Sequence, residues 1–167
     1  MKEKTISIAQ LHECIYDGTK KLKPDIGDVF FINIKQIGHI PGMVAGVRID
    51  KSENKTFLIY IYNEILKSKE EIPVLDKYNL LFSPLNVLRN NWSKGLGFEH
   101  RFSLPKEKID VFQDHCFYSK LHNPPRYHNQ NGESCEPFEP LVDNVWNNIT
   151  TICIKILKKI DDTDIKN

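Results

Sequence analysis

Five side chains of metal-ligand or nucleophile type lie close together in the second half of the chain: His115, Cys116, His122, His128 and Cys135. Imidazole and thiolate are the usual zinc ligands, and a thiolate beside an imidazole is the usual cysteine nucleophile. Both chemistries set conditions on spacing. Structural zinc sites take ligands in pairs at short fixed intervals, such as Cys-x-x-Cys or His-x-x-x-His. Neither pair occurs here, and His122 and His128 are separated by Pro124 and Pro125. Neighbouring residues on a strand point to opposite faces, so His115 and Cys116 cannot form a mutual dyad there. A reactive thiolate needs an electropositive, partly open setting, whereas Phe112, Phe117 and Tyr118 give Cys116 an apolar one. The expectation is core and loop residues, with no metal ligand set, no cofactor and no catalytic constellation.

Other patterns are weaker still. Gly38, Gly42 and Gly46 recur every four residues, but in a region that reads as strands, not as a membrane helix. Gly95-Leu96-Gly97 has no clear helix behind it to receive a phosphate. There is no Gly-x-Ser-x-Gly elbow. Tyr60, Tyr62, Trp92, Phe98 and Phe102 could form an aromatic face for stacking bases, yet core filling and cross-strand pairing explain them as well. Only Arg48, Arg89, Arg101 and Arg126 supply guanidinium groups, too few to interleave with those rings. Lys67-Ser68-Lys69-Glu70-Glu71 reads as a charged loop, either solvated or a rim that meets a charged partner. Asp28 follows Gly27 at the start of a strand and reads as a turn residue, not a catalytic acid.

The elements that must carry these residues are legible in the patterning. Residues 7–16 place Ile8, Leu11 and Ile15 on one helical face, with Gly18 as a stop. Asp28 to Ile34 is a β-branched and aromatic run launched from a Gly-Asp turn. Met43 to Asp50 and Thr56 to Ile65 follow as strands, with Ile40-Pro41-Gly42 as a turn signal and Asp50 to Lys55 as a polar loop. The strand at Thr56 to Ile65 is apolar or aromatic on both faces, which predicts a central place. Gly46 within a strand predicts a bulge that bends the sheet. Tyr78 to Leu88 is apolar but interrupted by Pro84. Phe98 to Leu104 returns as a strand with Phe98, His100 and Phe102 on one side. Val111 to Tyr118 fits a strand or a short helix, with strand preferred. Arg126 to Gly132 reads as a hairpin arm ending in an Asn-Gly turn. At the end, Val145, Ile149, Ile152, Cys153, Ile156, Leu157 and Ile160 form an apolar stripe of a helix from about Asn144 to Ile160, with Asp143 as its N-cap and Cys153 in the core.

Composition bounds the rest. The chain has 167 residues, 40% of them hydrophobic and 27% charged, an ordinary globular balance. Its 23 basic and 22 acidic residues leave a formal charge of +1. No global field steers it to a polyanion, so a nucleic-acid partner is not expected. The first residues carry no apolar core of a secretory signal, and no run approaches the roughly 18 apolar residues that span a bilayer. The expectation is one cytoplasmic domain over residues 1–167, with a core at about 24–160 and no membrane partner. There Cys14, Cys116, Cys135 and Cys153 would stay reduced.

The order of features carries a resemblance. Gly27-Asp28-Val29-Phe30 opens an alternating strand, followed by a glycine-containing strand and an aliphatic one. A segment with Pro84 and Trp92 comes next, then His115-Cys116-Phe117-Tyr118, an arm from Tyr127 to Asn131-Gly132, and a closing helix. Over residues 24–160 this resembles the bacterial polymorphic-toxin immunity proteins of immunity protein family twenty-six. The chain departs from that pattern in its extra segment at 7–18 and in the region of Trp92, which lacks the basic and aromatic repeat of the family. The patterning itself predicts an α+β fold, a strongly bent and mostly antiparallel half-open sheet packed with a C-terminal helix and a short N-terminal one. The resemblance implies an antitoxin that binds a cognate toxin, without catalytic residue or cofactor, on a surface it does not identify. The alternative is a small SH3-like barrel that binds nucleic acid or cleaves RNA, since such barrels share the Gly-Asp opening. Arg48 would then be the candidate for handling phosphate.

Overall fold

A computed structural model describes residues 23–49, 52–92 and 97–163. The chain enters the fold through a turn at Gly27. Its φ is +90°, and a Cβ there would lie 2.5 Å from Ile109 Cδ1, so the position takes glycine on both counts. The Asp28 carboxylate locks this turn by accepting the Asp25 N–H at 2.9 Å and the Ser103 hydroxyl. Strand β1 (Asp28–Ile34) follows and is buried along its whole length.

Strand β2 (Gly38–Ile49) begins earlier than the patterning predicts and runs through Ile40-Pro41-Gly42. The turn lies instead at 35–37, where Gln36 has φ 67°. Pro41 keeps its place because its carbonyl accepts the Tyr62 N–H at 3.0 Å. Gly42 answers a close approach, not a turn: a Cβ there would stand 2.5 Å from Phe30 Cζ. The pairing of β2 with β3 (Lys55–Ile61) slips between Val44 and Gly46, the bulge that glycine at 46 foretold. The short β4 (Leu85–Val87) starts just after Pro84, and β5 (Phe98–Ser103) lies along β1.

A second, three-stranded sheet is built from β6 (Cys116–Ser119), β7 (Arg126–His128) and β8 (Leu141–Asp143), in the order β7-β6-β8. The last strand, β9 (Trp146–Asn147), returns to the first sheet and completes the order β5-β1-β2-β3-β4-β9. The β4–β9 and β6–β8 pairs are parallel and the rest antiparallel. The fold is α+β, with an open, bulged and mostly antiparallel main sheet.

Helix α1 (Ile149–Thr163) is shorter at its start than the expected Asn144 to Ile160. Its cap is Asn148, not Asp143: Asn148 Oδ1 accepts the Thr151 N–H at 2.8 Å. The residues in between go to β8 and β9, where β6 and β4 supply backbone partners that a helix would have had to replace. Val145 therefore leaves the apolar stripe and is exposed. The expected helix at 7–16 lies outside the described residues.

The two faces of the main sheet are both covered. On one, Phe30, Ile32, Phe57, Ile59, Trp92 and Phe98 pack with Ile152, Cys153 and Ile156 of α1. Trp92 meets Phe30, Phe57 and Phe98 edge-on, with ring centroids 5.0–5.6 Å apart. On the other, Val29, Met43, Tyr60 and Tyr62 pack under Leu104, Ile109, Val111 and Phe112, while Leu58 meets Phe117 and Val142 of the second sheet. Strand β3 thus buries both faces, as a central strand must.

Candidate functional site

The five His and Cys residues do not converge. His115 is buried and lies 2.6 Å from the Tyr60 hydroxyl through Nε2. The Tyr60 oxygen already accepts the Phe112 N–H at 3.0 Å, so its own proton goes to His115. That assigns the neutral tautomer with the proton on Nδ1, which faces Gln130 Oε1 at 3.1 Å. Burial lowers the pKa of this imidazole, and neither ring nitrogen is left to bind an ion. His128 stacks on Phe117 at 5.6 Å, and His122 stands in an exposed turn. Cys116 and Cys135 do meet, with their sulfurs 4.0 Å apart. Among the described residues no group of three or more His, Cys, Asp or Glu side chains could hold a metal ion.

Arg48 lays its guanidinium over the Phe117 ring, 3.9 Å from the centroid, and burial lowers its pKa. The stack occupies one face of the guanidinium and leaves its N–H edge, the side through which arginine takes a phosphate, outside the ring contact. The aromatic side chains divide between the two sides of the sheet: Trp92 and Phe98 lie on the helix side, Tyr60 and Tyr62 on the other. All four are buried, so they make no common platform for bases.

The sequence reading missed a charged cluster on the main sheet. Glu99 is buried, and its carboxylate takes ion pairs from Lys69 at 2.8 Å and Arg101 at 3.0 Å and a hydrogen bond from Asn33. Burial pushes its pKa up, but the hydrogen bonds from Lys69 and Asn33 outweigh that and hold it below the ordinary value. Asn33 passes the network on to His39 Nδ1 at 2.6 Å. Period-two alternation held part of the signal, since it sets Glu99 opposite Phe98 and His100, but the expected side shared by Phe98, His100 and Phe102 breaks where the β1–β5 register shifts, and Phe102 pairs with Val29 instead. The loop lysine Lys69 is thus tied inward, not free to form a rim. Two cations and an amide converge on the one carboxylate of Glu99, an arrangement that suits holding β1, β2 and β5 together.

Among the described residues a groove of about 870 Å³ lies at the β9 edge of the main sheet. Phe57 and Leu88 are apolar lining residues, with Lys23, Lys55, Arg89 and Trp146 around them. Trp146 is 58% exposed, unusual for the largest side chain. Its position is set by three buried asparagines. Asn147 Nδ2 donates to the carbonyls of Asn86 at 3.3 Å and Val145 at 3.1 Å. Asn91 Nδ2 donates to the Asn147 carbonyl at 3.4 Å, and Asn86 Nδ2 to that of Asp143 at 3.1 Å. These bonds clamp the 143–147 segment to β4 and to the 3-10 turn Arg89–Trp92. Trp146 and Arg89 are thereby brought to one groove from distant parts of the chain. The lining carries three basic side chains, Lys23, Lys55 and Arg89, against the single carboxylate of Glu53. In the sequence, Trp146 is the one large aromatic off the apolar stripe that closes the chain, and that was its only signal.

No helix among the described residues is long and apolar enough to cross a membrane. No family model, no curated protein and no solved structure matches this chain.

Proposed function

We propose that the chain is an immunity protein, an antitoxin that binds a cognate bacterial toxin domain and neutralises it, and that the toxin docks in the groove at Trp146 and Arg89. The observation that carries this reading is a half-exposed tryptophan held in place by buried hydrogen bonds beside an exposed arginine. Tryptophan and arginine are the residues that most often dominate protein–protein affinity, and a fixed anchor loses little entropy on binding. The basic lining makes an acidic face of the toxin the complementary occupant and would speed capture. The order of sequence features from Gly27-Asp28 to the closing helix supports the same reading.

The test is calorimetric titration of the purified chain with the toxin domain encoded by the neighbouring gene. Wild type is expected to bind and to abolish the toxin's activity. Trp146→Ala should weaken binding by roughly 30-fold or more, the size of a hot-spot loss. Absence of a complex at micromolar concentration, or equal affinity in a Trp146→Ala/Arg89→Ala variant, would refute the proposal.

A further inference from the structure

We propose that Cys116 and Cys135 form a redox site that a hydroperoxide closes to a disulfide. Their sulfurs are 4.0 Å apart, and a disulfide needs about 2.05 Å, so closure requires about 2 Å of approach. The two residues differ in what they can do. Cys116 is fully buried on β6, between β7 and β8, and its N–H is tied to the Pro140 carbonyl at 3.0 Å. Cys135 is half-buried and follows the Gly132 turn, with its N–H on the Tyr127 carbonyl at 3.2 Å. Cys135 is therefore the thiol that an oxidant reaches and the one that can move, and Cys116 is the resolving thiol.

The chemistry balances with a hydroperoxide as the two-electron oxidant. The Cys135 thiolate attacks the terminal oxygen, the O–O bond breaks, and an alcohol (or water, from hydrogen peroxide) leaves after taking a proton. The sulfenic acid formed on Cys135 is then attacked by Cys116. The S–O bond breaks, the S–S bond forms and water departs with the second proton. Desolvation, the Cys116 thiol and the carboxylates of Asp114 and Glu136 push the Cys135 thiol up, so little of it is thiolate at neutral pH and closure should quicken as pH rises. The new bond would fasten β6 to the far end of the arm that carries Gln130, the partner of His115.

The experiment treats the full chain with a few equivalents of hydrogen peroxide at pH 7 and pH 8.5. Digestion without reductant and mass analysis follow. The expected result is loss of two hydrogens, a Cys116–Cys135 linked peptide that dithiothreitol releases, faster formation at pH 8.5, and a Tm higher by about 5 °C. Cys116→Ser should trap Cys135 as a sulfenic acid that dimedone labels, and Cys135→Ser should lose the linked peptide. A Cys14→Ser/Cys153→Ser variant should still form it. Wild-type thiols that stay unlinked, Cys135 driven to sulfinic acid with Cys116 unmodified, or linkage only through Cys14 or Cys153 would each overturn the proposal.

Discussion

The hydroxyl of Tyr60, on the central strand of the main sheet, lies 2.6 Å from Nε2 of His115 at the entrance to the second sheet. This bond joins the two sheets through their buried faces, and it works only while the imidazole is neutral. A protonated ring would turn Nε2 from acceptor to donor, aimed at a hydroxyl oxygen that already accepts the Phe112 N–H.

Stability is therefore expected to fall in mild acid. Burial holds His115 below its ordinary value near 6.5, and His39 and His128 are lowered too, again chiefly by burial. Below about pH 6.5 the unfolded chain binds protons that the folded chain does not. The contribution of these groups is complete above that pH and is lost as pH falls through their lowered folded values. Urea midpoints measured from pH 7.5 to pH 5 should decline. Tyr60→Phe should cost about 1–3 kcal/mol at pH 7.5, because the Phe112 N–H and His115 Nε2 each lose a partner.

Glu99 governs a second window at lower pH. Its carboxylate is held below the ordinary value despite burial, by Lys69, Asn33 and Arg101. Its contribution is present above the unfolded carboxylate pKa and is lost as pH falls through the folded one, below about pH 4. Glu99→Ala leaves Lys69 and Arg101 partly solvated, with 32% and 26% of their side chains exposed, but strands the buried Asn33 amide. The expected loss is about 1–3 kcal/mol by denaturant unfolding at pH 7, with a flatter acid limb than wild type.

The parts of this fold legible in the sequence are those set by one strong local pattern. Asp28 to Ile34 is a strand because β-branched and aromatic residues are continuous there, and the bulge beside Gly46 is where a glycine interrupts such a run. The misread parts are those where a tertiary partner overrules the local signal. Pro41-Gly42 looks like a turn and is a strand, because the Phe30 ring needs the space. Residues 144–147 continue a helical period, but β4 offers Trp146 and Asn147 a ladder. The groove depends on that override. No local pattern tells that Trp146 will meet Arg89, because buried asparagine amides bring them together and those amides read as loop residues in the sequence.

Gly42 offers a direct check on one such override. A Cβ there would lie 2.5 Å from Phe30 Cζ and 2.9 Å from the Tyr60 carbonyl oxygen. Phe30 cannot retreat freely, since it stacks on Phe98 at 4.2 Å and meets Trp92 edge-on. Gly42→Ala is expected to cost about 1–3 kcal/mol or more through overpacking. If glycine served only as a turn residue, the substitution would be nearly neutral within a strand, so urea unfolding of the variant decides between the two roles.

The asparagine clamp predicts how stability and binding separate at the groove. Trp146 is half-exposed, so Trp146→Ala should change unfolding free energy by less than about 1 kcal/mol while removing the main anchor for a partner. Asn147 is the reverse case. It is buried, and its amide donates to two carbonyls of its own chain. Asn147→Ala should cost about 1–3 kcal/mol of stability by leaving the Asn86 and Val145 carbonyls short of a donor. It should also weaken partner binding, though less than Trp146→Ala, because a released 143–147 segment must be re-ordered when the partner docks. The two effects act through one side chain, so they should not add: in the Trp146→Ala background, Asn147→Ala should change affinity little. Additive losses in that double-mutant cycle would mean that Asn147 contacts the partner itself, and full binding by Asn147→Ala would mean that the clamp does not position Trp146.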